Sequence, residues 1–202
     1  MISSQSIKDH IKNNFWQYLI LIVIFVLGLI AGEMKVSNLT GGTRGHLIGL
    51  LNSFMTEQGG VTGRPEMLLP TILNQIKTVG LIWFLGLTVI GVPFILGLVF
   101  TRAFSLGFTI GFLVEEKGRL GWLVALASVF PQNLIYLPVL LVGSLFSLNF
   151  SMYIIKGQLR NISDFWRSLL LYTLLMALVM AFFIVGALVE AYISPWFLSL
   201  IV

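Results

Sequence analysis

Long stretches without a single charged residue constrain this chain more than any other feature. Charge is absent from 15–32, 78–101, 120–155 and 168–189, and each of these runs is strongly apolar. A helix needs about 20 consecutive apolar residues to cross the roughly 30 Å hydrocarbon layer of a bilayer. Runs of this length and composition therefore predict membrane-spanning helices.

The overall composition indicates the same fold class. Only 10% of the 202 residues are charged, whereas soluble domains carry about 25%, so water would not solvate this surface. We expect an all-α, polytopic transmembrane helical bundle that forms a single integral membrane domain, 1–202, with the lipid bilayer as a partner. The basic residues are scattered near the ends of apolar runs, which argues against a nucleic-acid surface.

The N-terminal part contains one span and one hydrophilic loop. We place a span at 15–32 rather than a cleaved signal peptide, because the run is long for one and lacks a small-x-small cleavage pattern. The loop, 33–77, contains two amphipathic stretches that would lie on the membrane surface, dock a partner or pack on the protein's own spans, the last being favoured. Their apolar residues recur at helical spacing: Leu47, Leu50, Leu51 and Phe54, then Leu69, Ile72, Leu73 and Ile76.

The middle of the chain divides less regularly into spans. We assign further spans to 78–101, 102–118, 121–155 and 168–190, which gives about five in total. The span 102–118 is short for a bilayer. The charge-free run 120–155, in contrast, would make a helix of about 54 Å, which is too long for one span. We therefore expect a kink in the long one and a broken or re-entrant helix near 103–133. A re-entrant hairpin there would reduce the count to four.

Three prolines are the expected helix breaks, because proline lacks the N–H that continues the hydrogen bonding of a helix. Pro93 lies within 78–101, and Pro131 and Pro138 lie within 121–155. Backbone that is broken at membrane depth must be buried in protein or line a wet cavity. The region around Pro131 and Pro138 is therefore a candidate for such a cavity.

Five polar residues in apolar surroundings are the candidate functional positions. Glu190 ends the last long run, and a charge at the bilayer centre costs at least about 2.5 kcal/mol, so such residues tend to be functional or paired. The buried amides need hydrogen-bond partners, which they find either in broken backbone or in a polar cavity. The five positions are Asn74, Arg102, Gln132, Asn133 and Glu190.

Small residues at four-residue spacing predict close helix packing. Gly28 and Gly32 form one such stripe, and Gly107 and Gly111 continue another that begins at Ala103. In lipid, small side chains let two helix backbones approach closely. We expect these glycines to pack within the chain rather than against a partner.

The sequence contains no recognisable catalytic constellation. His10 and His46 have no partners at metal-ligand spacing, and there is no cysteine, so thiol chemistry and Cys-ligated metal sites are excluded. Neither a zinc-peptidase motif, a serine-nucleophile motif nor a phosphate-binding glycine loop is present. We therefore expect no catalytic residues, no metal and no cofactor.

The order of these features resembles the stage II sporulation protein M family over essentially the full chain. The resemblance rests on several segments in order rather than on one motif. These are Asn13-Asn14 before the first span, Asn74 at the head of the second, and the stretches Arg102–Phe112, Phe130–Pro138 and Gly186–Pro195.

The resemblance implies a function. A protein of this family is expected in the cell membrane, at the sporulation septum and mother-cell membrane, where it is a non-enzymatic scaffold for engulfment of the forespore. Its implied partners are two peptidoglycan hydrolases, a lytic transglycosylase and an amidase/endopeptidase. The alternative, suggested by the broken-helix region, is a component of a transporter or channel for a small solute or ion.

The orientation in the membrane does not follow from charge. The five spans above leave six basic residues on each side, so the positive-inside rule makes no choice. The resemblance implies an inside N-terminus, which would put 33–77 on the side of the cell wall.

Overall fold

The computed structural model describes residues 15–58, 65–157 and 162–199. Asn13, Asn14 and the side chain of Phe54 fall outside this description. The described residues contain no strand, and their elements follow one another along the chain. These are α1 Phe15–Ser37, α2 Gly41–Gln58, α3 Pro65–Gly86, α4 Gly91–Lys117, α5 Arg119–Ser128, α6 Phe130–Ile155, α7 Ile162–Leu188, a π-helical turn Val189–Ile193, and α8 Ser194–Ser199.

Within the described ranges, five helical stretches are long and apolar enough to cross a membrane. The predicted all-α bundle with about five spans is therefore confirmed. Three apolar clusters connect the helices: one among α3, α6 and α7, one among α1, α4 and α6, and one that joins α1, α2, α4, α5 and α8. The spans are Phe15–Ser37, Leu68–Gly86, Gly91–Lys117, Phe130–Ile155 and Ile162–Leu198.

The boundary between the second and third spans differs from the prediction. The sequence predicts this boundary at Arg102, but α4 runs through Arg102 without a break. The connection is instead a turn at 87–90, where the Leu87 N–H bonds the Phe84 carbonyl at 3.1 Å. The reason is that apolar residues before Lys77 belong to the second span, so the run 78–101 holds the end of one helix and the start of the next.

The three prolines differ in what they do to the helices. Pro93 is the third residue of α4, where a missing N–H costs nothing because the first helical N–H groups have no partner in the helix. Pro131 lies in the first turn of α6, directly after the break at Val129. Pro138 lies inside α6, which continues past it. Pro93 and Pro131 thus both follow an interruption of the helix, whereas Pro138 does not interrupt α6.

The expected interruption near 103–133 consists of a tight turn and a short helix. Gly118 has a positive φ of 57°, a conformation that favours glycine, and it reverses the chain between α4 and α5. The two helices approach so closely that a Cβ at Gly121 would lie 1.8 Å from the Leu113 carbonyl oxygen. At about 15 Å, α5 does not cross the bilayer alone, and it leads through Val129 into α6.

The last span extends beyond its predicted end at residue 190. The helix passes through the π-helical turn into α8, and Pro195 occupies the first turn of α8. Leu198 is fully buried in the cluster that includes Phe112 and Val124. The apolar tail therefore packs against α4 and α5 instead of leaving the bundle.

The two glycine stripes pack against each other and join α1 to α4. A Cβ at Gly32 would lie 2.1 Å from the Phe104 carbonyl oxygen, and one at Gly107 would lie 2.1 Å from that of Leu29. A Cβ at Gly28 would lie 2.7 Å from the Phe100 carbonyl oxygen of α4. A Cβ at Gly111, in contrast, would make ordinary contacts at 3.4 Å. Backbone therefore lies against backbone along this interface.

Helix α2 packs on the protein's own spans, as the favoured interpretation of its apolar face predicts. Leu51 is buried in the cluster shared with α4 and α5. Arg44 forms ion pairs with Glu115 at 3.0 Å and Glu116 at 2.5 Å, and the Lys117 ammonium donates to the side chain of Asn52 at 3.2 Å. The helix is thus held to the end of α4 by charge as well as by apolar contact.

Replacing Gly107 with alanine is expected to destabilise the bundle by about 1–3 kcal/mol, because the added methyl group overpacks the α1–α4 interface. The measurement is unfolding of the purified protein by SDS, followed by circular dichroism. Gly97→Ala is the control, since a Cβ at Gly97 in the same helix meets nothing within 4 Å. Equal destabilisation by both changes would contradict the close packing.

Candidate functional site

A polar cavity of about 270 Å³ lies among α3, α4, α6 and the π-helical turn. It is lined by all five polar residues that the sequence analysis singled out. They come from four helical elements, α3, α4, α6 and the π-helical turn, and converge on one place: Asn74, Arg102, Gln132, Asn133 and Glu190. Residues that are far apart in sequence therefore form one candidate site.

The cavity lies deep in the bundle. Arg102 is the twelfth of the 27 residues of α4, which places it about 17 Å from one end of the helix and about 23 Å from the other. A guanidinium halfway along a spanning helix lies near the centre of the bilayer, where a charge is costly unless protein groups or water solvate it. The span boundary predicted between 101 and 102 would instead place Arg102 at the end of a span.

The Arg102 side chain is tied to α3. Its guanidinium donates to the Thr78 hydroxyl, and that hydroxyl donates to the Asn74 carbonyl at 3.0 Å. Only one of the five guanidinium N–H donors is used in this contact. The rest of the group lines the cavity and is available to bind another acceptor.

Glu190 lines the same cavity from the last span. It lies in the π-helical turn, a local widening of a helix that is frequent at functional sites. The Tyr136 hydroxyl of α6 donates to it at 2.8 Å. Glu190 attracts Arg102 electrostatically, but the residues described form no direct ion pair between them within 4 Å. One cation and one anion therefore face the same cavity without neutralising each other by contact.

Gln132 and Asn133 stabilise the break between α5 and α6. The side-chain amide of Gln132 donates to the backbone carbonyl of Ser128 at 2.5 Å. The side-chain amide of Asn133 donates to the backbone carbonyl of Val129 at 2.7 Å. The Ser194 hydroxyl in turn donates to the Gln132 carbonyl oxygen at 2.5 Å. These side chains thus satisfy backbone at the break and line the cavity at the same time.

Four polar lining residues were missed by the sequence analysis: Gln75, Ser105, Thr109 and Tyr136. A usable signal was present for three of them, because Ser105 and Thr109 lie three and seven residues after Arg102, and Tyr136 lies four residues after Gln132. Side chains at these spacings share one helix face, whereas Gln75 directly follows Asn74 and had no such signal. Gln75 is only 4% exposed, and its side chain hydrogen-bonds Tyr136.

A second polar cluster in the bundle shows what a purely structural arrangement looks like. The Tyr172 hydroxyl donates to the Trp83 carbonyl at 2.9 Å and lies 2.7 Å from the Ser147 hydroxyl. Both groups are buried among α3, α6 and α7 and have partners. The cavity at Arg102 differs because two residues of opposite charge, Arg102 and Glu190, line it.

An apolar groove of about 380 Å³ adjoins the polar cavity. The two share Leu106, Val129, Asn133 and Leu137 as lining residues. The groove is also bordered by Trp122 and by other side chains that are half exposed on the outer surface of the bundle. The polar cavity and the apolar groove thus lie side by side and share part of their walls.

The charges in the cavity are expected to be energetically coupled. Arg102→Met should destabilise the protein by about 1–3 kcal/mol because it removes the hydrogen bond to Thr78 and the attraction to the Glu190 carboxylate. The double variant with Glu190→Gln should be more stable than the sum of the two single changes by at least about 1 kcal/mol. Unfolding in SDS measures all three.

The control for this cycle is Arg167→Met with Asp164→Asn, an exposed pair of opposite charges at the start of α7. Exposed pairs contribute little, so its coupling should stay below about 0.5 kcal/mol. Additive effects of the Arg102 and Glu190 changes would contradict a shared electrostatic site.

Comparison with known proteins identifies the family. The profile of the family described as Stage II sporulation protein M matches residues 21–195. No curated protein and no solved structure matches the chain. Because the match covers most of the chain, the protein belongs to this family, as the resemblance predicted, and its five spans make it a multi-pass membrane protein.

Proposed function

We propose that this member of the stage II sporulation protein M family is a non-enzymatic membrane scaffold. It assembles a lytic transglycosylase and an amidase/endopeptidase, both peptidoglycan hydrolases, at the septal membrane of the mother cell during forespore engulfment. The family match supports a role in sporulation. The observation that carries the scaffold role is helix α2, which is fixed to the bundle and has an unpacked face.

The position of α2 suits a docking element. It is not one of the candidate spans, and the Arg44 ion pairs hold it against the end of α4. With the inside N-terminus that the family implies, this end of the bundle faces the cell wall. A partner bound to α2 would therefore be held close to the membrane and in a defined orientation.

The unpacked face of α2 consists of glycine. Gly41, Gly45 and Gly49 follow at four-residue spacing and so share one side of the helix. A Cβ at any of them would meet nothing within 4 Å. Each costs the helix about 0.5–1 kcal/mol relative to alanine, with no close contact inside the chain to offset it. A partner helix that lies against this face would make use of the missing side chains.

Gly45→Leu is expected to reduce recovery of both hydrolases with the tagged protein from sporulating cells by about tenfold or more, which corresponds to a loss of about 1.4 kcal/mol in binding. The leucine fills the face that the partner backbone would contact. The protein itself should be as stable as the wild type, because the added side chain points into open space.

His46→Leu is the matched control. His46 is exposed on α2 but lies about 100° around the helix from Gly45, so hydrolase recovery should not change. The scaffold proposal is wrong if the wild-type protein recovers neither hydrolase and both hydrolases reach the septum in cells that lack it.

A second candidate function, a component of a transporter or channel, is favoured by the polar cavity at membrane depth. A polar cavity beside a broken helix at membrane depth is typical of substrate sites in transporters. Proteoliposomes that contain the full chain distinguish the two functions. A transport function predicts protein-dependent flux of an ion or small zwitterion that Arg102→Met abolishes, whereas a scaffold alone predicts no flux above that of empty liposomes.

A further inference from the structure

We infer that the polar cavity and the apolar groove together bind one phospholipid with a primary-ammonium head, of the phosphatidylethanolamine class. The head would occupy the chamber at Arg102 and Glu190, and an acyl chain would occupy the groove. This inference is independent of the proposed scaffold function, because it concerns a face of the bundle that α2 does not line.

The charges of the cavity match a zwitterionic head. Arg102 supplies a cation and Glu190 an anion, and the two line one chamber without a direct ion pair. An anionic head would be repelled by the Glu190 carboxylate, and a cationic head would be repelled by the Arg102 guanidinium. Water that could weaken either repulsion is scarce at this site. A zwitterion places its phosphate against Arg102 and its ammonium against Glu190, and both charges are compensated.

The Glu190 carboxylate determines which zwitterion fits. Glu190 lines the cavity and accepts a hydrogen bond from the Tyr136 hydroxyl at 2.8 Å, and a carboxylate has lone pairs for further donors. A hydrogen bond to a charged group contributes about 1.5–3 kcal/mol, so a ligand that donates to this carboxylate gains that amount. A primary ammonium carries three N–H donors, whereas the quaternary ammonium of phosphatidylcholine carries none. The site therefore distinguishes two zwitterionic lipids that have the same net charge.

The groove distinguishes a lipid from a free headgroup. It adjoins the chamber, and the two share Leu106, Val129, Asn133 and Leu137 as lining residues. Its walls include Leu134, which is 65% exposed, and Trp122, which is 54% exposed, so a chain can enter from the surrounding membrane. The head would sit deeper than the heads of neighbouring lipids, at a level where the cavity supplies the polar contacts that water supplies at the membrane surface.

The test is a titration of the purified full chain in detergent, with bound lipid counted by native mass spectrometry. The probes are phosphatidylethanolamine, phosphatidylcholine and phosphatidylglycerol with identical acyl chains. We expect the ethanolamine lipid to bind about tenfold or more tightly than either of the others, the size of effect that one hydrogen bond to a charged group produces. Equal affinity for the three lipids would overturn the inference.

A competition experiment distinguishes binding of the whole lipid from binding of its headgroup alone. Free phosphoethanolamine in large excess is expected not to displace the bound lipid, because it cannot fill the groove. Displacement at a concentration near that of the lipid would show a site for a small zwitterion and would overturn the assignment to a phospholipid.

Two variants assign the binding to this cavity. Gln75→Leu removes the side chain that hydrogen-bonds Tyr136, whose hydroxyl in turn holds the Glu190 carboxylate, and circular dichroism checks that this variant is folded. Glu190→Gln removes the anion. Each should lower the preference for the ethanolamine lipid over the choline lipid, while Asp164→Asn on the exposed start of α7 should leave it unchanged. A preference that survives in both cavity variants would overturn the inference.

Discussion

The absence of water from the bilayer core is the constraint on which the rest of this structure depends. Every polar group inside the spans must find its partner in the protein. The Arg102 guanidinium reaches α3 through Thr78, and the Glu190 carboxylate reaches α6 through Tyr136. These contacts connect helices that apolar packing alone would hold without a defined register, because lipid chains are as apolar as the side chains they would replace.

The remaining features of the fold position this polar centre. Glycine contacts bring α1 against α4 backbone to backbone, which fixes one side of the helix that carries Arg102. On the other side, the turn at Gly118 folds α5 back along α4, so the break before α6 occurs inside the bundle rather than at its end. The π-helical turn then directs Glu190 into the cavity. Helix α2 covers the end of α4 and leaves its glycine face open.

Much of this fold could be predicted from the sequence, since span number and helical class follow from charge-free runs. The position of Arg102 could not, because a single arginine after 24 uncharged residues looks the same whether it ends a span or lies within one. The beginning of the second span before Lys77 had the same ambiguity. Asn74, Gln132 and Glu190 could each be recognised as unusual, but which helix faces meet depends on packing between spans. The hydrogen bond between Gln75 and Tyr136 is visible only in three dimensions.

The central claim, that Arg102 belongs to a site at membrane depth, is tested most directly by labelling single cysteines in this cysteine-free chain with an impermeant maleimide. Substitutions at Val89 and Ser163 should react from one side of the membrane, and a substitution at Ser53 should react from the other. A cysteine at Thr101, next to Arg102, should react from neither. Labelling of Thr101→Cys from the same side as Val89→Cys, and equally fast, would place Arg102 at the membrane surface and contradict the intramembrane site.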